Sequence, residues 1–187
     1  MPKRVDHTQR RDQIAEALWR VATDEGLGAA TLRRIAAEAE MSMNLVQYYF
    51  PTKREMIHYG LARLLERAGA RIGEALRTPG SPHQVLRACL RNLLPCTPES
   101  HQFTAVYTAY LSHALADEEI RGLMRDVPHE LAALLIPLAD GTPEPERAIN
   151  TLLATAAGLA PSILLGTLTT EEAADLLDRQ LATLLGT

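Results

Sequence analysis

Apolar residues recur at three- and four-residue spacing along nearly the whole chain, and no segment shows the sustained alternation of a half-buried strand. That periodicity admits helices and little else. Helix starts are marked too. Thr52-Lys53-Arg54-Glu55, Ser81-Pro82-His83-Gln84 and Thr169-Thr170-Glu171-Glu172 each put a hydroxyl at the N-cap and Glu or Gln three residues on. Such a capping box satisfies two orphaned backbone N–H groups reciprocally. Thr97-Pro98 and Thr142-Pro143 set a hydroxyl ahead of a proline suited to the first helical position. These signals predict about nine helices, over 9–24, 32–39, 43–50, 52–77, 82–94, 98–115, 117–139, 143–165 and 170–185. The seventh must bend or break around Pro128. Many helices with short connections make an all-α bundle, and no internal repeat is visible.

Net charge is −4, which taken alone disfavours a nucleic-acid binder, but its distribution does not. Residues 1–54 carry +2 and residues 55–187 carry −6, so a polyanion would meet the N-terminal part. Cys89 and Cys96 are too few for a disulfide framework or a four-ligand zinc site. The basic N-terminus lacks the apolar stretch of a secretory signal. Residues 148–170 hold no charge, but Asn, Thr, Gly and Pro interrupt them, which predicts a buried interface helix rather than a membrane span. A cytoplasmic protein is expected.

Residues 32–50 read as a helix-turn-helix. Two short helices flank a tight turn, and Ala36 is small enough for a close crossing. In the second helix, Val46 and Phe50 share one face, with Met41 beneath, and Met43, Asn44, Gln47 and Tyr48 share the other. An Asn or Gln amide can pair bidentately with adenine, while Met43 and Tyr48 can meet a thymine methyl. Ser42 and Tyr49 can donate to phosphates, and Lys53 adds charge at the positive end of the next helix. Arg33 and Arg34, with Lys3, Arg4, Arg10 and Arg11 ahead of the first helix, widen the cationic footprint. Tyr48, Tyr49 and Phe50 are three of eight aromatics in the chain, and they divide between core and partner.

The run ATLRRIAAEAEMSMNLVQYYFPTKREMI resembles the DNA-binding domain of the TetR family of bacterial transcriptional regulators. Thr31, Ile35-Ala36, Ser42, Val46, Tyr49-Phe50 and Lys53 carry the resemblance. It implies a DNA-binding domain over 1–54 and a helical effector-binding and dimerisation domain over 55–187. Thr31, Tyr49 and Lys53 match phosphate-contacting positions; Arg33, Met43, Asn44, Gln47 and Tyr48 match positions that reach bases. Asn44 stands where many members have Gly or another small residue, and Gln47 where Tyr is common. The family further implies a homodimer joined through the last two predicted helices and a repressor released from a near-palindromic operator by a small molecule.

In the larger domain, Phe103, Tyr107 and Tyr110 recur at helical spacing, as core or as the lining of an effector pocket to which Gln102 and His113 would add polar groups. Asn92 is a further candidate, while Arg87 and Arg91 are expected to face solvent. His113 and Asp117 stand four apart, but the helix boundary at Ala116 should separate them and leave Asp117 as a cap. No metal, cofactor or catalytic constellation is expected. An effector-independent regulator, an all-α enzyme and a helical interaction module are the competing readings.

Overall fold

The computed structural model describes residues 7–186, which excludes Lys3 and Arg4. Among them are ten α-helices: α1 (His7–Glu25), α2 (Leu32–Glu38), α3 (Met43–Tyr49), α4 (Lys53–Leu76), α5 (Pro82–Arg91), α6 (Pro98–Ala114), α7 (Glu118–Arg125), α8 (Val127–Leu135), α9 (Pro145–Leu164) and α10 (Thr170–Leu185). Short 3-10 turns follow α1 at Leu27–Ala29 and α8 at Ile136–Ala139. The predicted helix over 117–139 is therefore two helices and a turn. Pro128 cannot donate to the preceding turn, so the chain restarts and uses it in the first turn of α8.

The caps form as the side chains dictate. Ser81 with Gln84, and Thr169 with Glu172, make complete capping boxes. Thr52 accepts the Glu55 N–H at 3.1 Å, and Thr31 and Ser42 accept from Arg34 and Leu45 at 3.1 and 3.2 Å. Asp117 accepts the N–H groups of Glu119 and Ile120, which start α7. Between α2 and α3 the Met41 N–H returns to the Ala36 carbonyl at 2.9 Å, which throws Glu40 into the left-handed region at φ 53°. Glycine adopts that conformation most readily, so the turn is closed against a local preference.

The chain divides into two compact units. The first comprises residues up to Arg67 together with Val106–Arg121. Ile14, Leu18, Ile35, Val46, Phe50 and Met56 are all buried to 0% exposure in it. Here the second half of α6 packs on the first half of α4. Tyr110 donates to the Ile57 carbonyl at 2.9 Å, and Trp19 Nε1 donates to the Gly60 carbonyl at 3.2 Å.

The second unit comprises Ala68–Ala105 and the chain from Gly122 onward. Its core draws Leu86, Leu90 and Leu94 together with Leu135, Ile149 and Leu177. The sequence places Leu176, Leu177, Leu181 and Leu184 at a subunit contact, but Leu177 and Leu181 face this internal core at 1% and 7% exposure. The exposed residues here are Ala154, Ala157 and Gly158 on α9, Leu165 just after it and Leu176 on α10. Arg87 and Arg91 do not simply face solvent: both pair with Asp178 of α10. No helix among the described residues is long and apolar enough to cross a membrane.

Candidate nucleic-acid interface

Ser42 starts α3, Val46 and Phe50 anchor its inner face, and the outer face follows from the 3.6-residue turn. Met43 is 43% and Tyr48 71% exposed, high values for large apolar side chains. Asn44 and Gln47 are exposed beside them, and no other described residue engages either amide. Two amides, a thioether and a phenol thus share one surface with their polar capacity unspent.

At the C-terminal end of this face the rings gather. Tyr49 is half-buried and Tyr48 meets it edge-on at 5.1 Å, while the His7 ring at the start of α1 lies 4.7 Å from Tyr49 and 6.3 Å from Tyr48. Sequence reasoning passed over His7, because helical periodicity gives no sign that residue 7 returns to residue 49. Lys53, on the first turn of α4, donates to the Gly28 carbonyl at 2.9 Å. That bond holds its ammonium beside the 3-10 turn, with two further N–H groups remaining.

The basic residues sort sharply. Arg33 is exposed, and no described acidic group pairs with it. Arg34 is clamped between Glu25 at 2.7 Å and Glu38 at 3.1 Å. Glu38 also takes Arg20, and these hydrogen bonds hold its carboxyl below the usual range. Arg34 thus ties α2 to α1 and adds no free charge, contrary to expectation. Arg11 stacks on Phe50 at 4.7 Å and Tyr59 at 4.1 Å, which makes it a packing residue rather than a basic arm. Arg10 donates to Gln13 at 2.9 Å.

The candidate effector residues lie differently. Gln102 is exposed, and Phe103 is half-buried beneath the Arg71 guanidinium at 4.8 Å. Tyr107 is half-buried, and burial raises its pKa. Tyr110 differs from the expectation of a pocket residue: it is wholly buried, its hydroxyl is committed to Ile57, and burial pushes its pKa far up. His113 lies 3.6 Å from Asp117, so the helix boundary does not separate them, and Asp117 caps α7 as well. Asn92 donates to the Ala88 carbonyl of its own helix. No group of three or more metal-ligating side chains occurs among the described residues.

A solvent-facing second helix on a three-helix core, with amides and hydroxyls outward, defines a helix-turn-helix DNA-binding protein. Residues 14–59 match the family described as bacterial regulatory proteins, tetR family, and residues 82–186 match the BetI-type transcriptional repressor C-terminal family. The chain belongs to the TetR family, with a BetI-type C-terminal domain, and is a DNA-binding transcriptional regulator rather than an enzyme. It is 32% identical over 114 residues to the HTH-type transcriptional regulator PksA of Bacillus subtilis. That match spans 61% of this chain and 56% of PksA, little more than half of the relative. A crystal structure of a transcriptional regulator from Rhodococcus sp. Rha1 superposes with a TM-score of 0.86 at 30% identity, covering 94% of this chain and 96% of that one. A regulator from Saccharomonospora viridis, solved in complex with choline, shares the fold at a TM-score of 0.81 and 21% identity, covering 92% and 95%.

Proposed function

We propose that this protein is a homodimeric repressor that reads a near-palindromic operator with α3 and leaves it when a small molecule binds the larger helical domain. The observation that carries the reading is the outer face of α3, where Asn44 and Gln47 present unspent amides between Met43 and Tyr48. Amides of this kind discriminate base edges, whereas Thr31, Ser42, Tyr49 and Lys53 hold the phosphates and Arg33 reaches from α2. This division keeps DNA contact within residues 1–54 and effector binding and dimerisation within 55–187.

Two observations support the dimer. Beyond Arg147 the outer face of α9 is uncharged and small, with Ala154, Ala157 and Gly158 exposed. Leu165 at 78% and Leu176 at 46% exposure extend it with large apolar surface. Small residues allow close helix approach, and a two-fold pair of such helices buries both leucines. A two-fold dimer also presents its recognition helices to successive major grooves, which explains a palindromic site. An effector is supported by family membership and by the choline bound to the Saccharomonospora viridis relative.

Sedimentation of the free protein and of its complex with a selected duplex tests the assembly. Two chains in the free species and at least two per duplex are expected. A monomer that binds one asymmetric site with full affinity would overturn the dimeric reading.

A further inference from the structure

Arginines recur on α4 at 63, 67 and 71, four residues apart and therefore in one row along the helix. The first two are neutralised from α1. Arg63 binds Asp12 through Nε and Nη2, both at 2.8 Å, and also meets Glu66. Arg67 binds Glu16 at 2.9 Å. Arg71 breaks the series. Its carboxylate neighbour is Glu99, at 3.9 Å and 71% exposed, too far for a hydrogen bond. Yet the Arg71 side chain is only 18% exposed, and its Nε is buried without a hydrogen-bond partner.

A guanidinium withdrawn from water requires compensation. Stacking on Phe103 at 4.8 Å returns part of it, and the buried Nε returns none. Arg11 also leaves Nε unpartnered, but two rings enclose it within the helix-turn-helix core. Arg71 has one ring and an exposed counter-charge at 3.9 Å. The Arg63–Asp12 pair shows what such an edge accepts, a carboxylate held by two parallel N–H bonds.

We propose that Arg71 sets the charge class of the effector, which is a small organic carboxylate paired with its guanidinium; this rests on the effector-responsive reading above. The carboxylate takes the Nε edge, whereas Glu99 lies nearest Nη1. Choline-type cations are disfavoured here because the Phe103 face is already covered by a positive group. Quaternary ammonium recognition needs aromatic faces free of competing cations.

The test is calorimetric titration of the full chain, at fixed ionic strength, with sodium octanoate, sodium benzoate, inorganic phosphate and choline chloride. Saturable binding of a carboxylate is expected, with Arg71→Gln weakening it by roughly tenfold or more and Arg71→Lys recovering part of the loss. The Lys variant also keeps the test open should Arg71→Gln fold poorly. Choline binding without either carboxylate, phosphate binding as tightly as the carboxylates, no carboxylate binding, or binding indifferent to Arg71→Gln would each overturn the proposal. Adding the same compounds to the protein–DNA complex separates it from the wider reading. Release by choline alone leaves the regulator effector-responsive and refutes the carboxylate. Carboxylate bound through Arg71 with no change in DNA affinity refutes the effector role itself.

Discussion

The Tyr110 hydroxyl donates to the Ile57 carbonyl at 2.9 Å, and the same hydroxyl lies 2.7 Å from where a Cβ on Gly60 would be. That Cβ would also come within 2.6 Å of Leu18 Cδ2. The crossing of α1, α4 and the second half of α6 therefore requires glycine at residue 60. Gly69, on the same helix, has nothing within 4 Å of its Cβ position. Gly60→Ala should destabilise the fold by about 1–3 kcal/mol, because overpacking outweighs the gain in helix propensity. Gly69→Ala should instead stabilise it by about 1 kcal/mol. Urea denaturation of the two variants decides, and equal midpoints would contradict the crossing.

Tyr110→Phe leaves the ring and removes one hydrogen bond. The Ile57 carbonyl retains its place in the helix, so a loss of about 0.5–1.5 kcal/mol is expected by chemical denaturation.

Asp12 accepts from Tyr59 at 2.7 Å and from Arg63 twice. Burial alone would raise its pKa, but these hydrogen bonds outweigh burial and hold the carboxyl below its ordinary range. A carboxyl depressed by folding contributes stability that is present above its unfolded pKa, about 4, and is lost as pH falls through the folded value. Asp12→Asn should therefore cost stability at neutral pH and flatten the acid limb of the stability curve. Tyr59, whose pKa burial and Asp12 push up to about 12, has the opposite sign. Its contribution is present below its unfolded pKa, about 10, and fades as pH rises through the folded value. Denaturation midpoints measured from acid to alkaline pH test both signs.

Much of this architecture was written in local sequence. Hydroxyl and carboxamide caps, prolines at first turns and the Val46/Phe50 face follow from residues within about a turn of one another. What escaped depends on partners far along the chain. Arg34 looks like free positive charge until Glu25 and Glu38 are seen around it, and Arg11 until Phe50 and Tyr59 are. Leu177 and Leu181 share the periodicity of Leu176, and only the fold decides which side faces the core. His7 and Arg71 drew no attention because nothing adjacent in sequence marks them.

Neighbouring arginines on α2 should behave differently on DNA. Arg33→Ala should reduce the slope of log affinity against log salt by about 0.9 per lost phosphate contact in each subunit, or relax base preference if it reads an edge. Arg34→Ala should lower thermal stability and leave the salt slope alone. Lys53→Ala should flatten the slope at every DNA sequence, and an unchanged slope would remove Lys53 from the phosphate set.

Leu165→Glu places a charge on the exposed apolar surface at the C-terminal end of α9 without touching the internal core. Sedimentation should show monomers, and DNA affinity should fall with the lost half-site. An intact dimer would move the interface elsewhere.

Selection of bound duplexes from a random DNA pool by the full chain tests most directly that α3 reads sequence. The pool should converge on two inverted half-sites separated by a whole number of turns, about 10 base pairs each, and Gln47→Ala should relax one position in each half. A pool that fails to converge, or a consensus unchanged by every substitution on the outer face of α3, would contradict it.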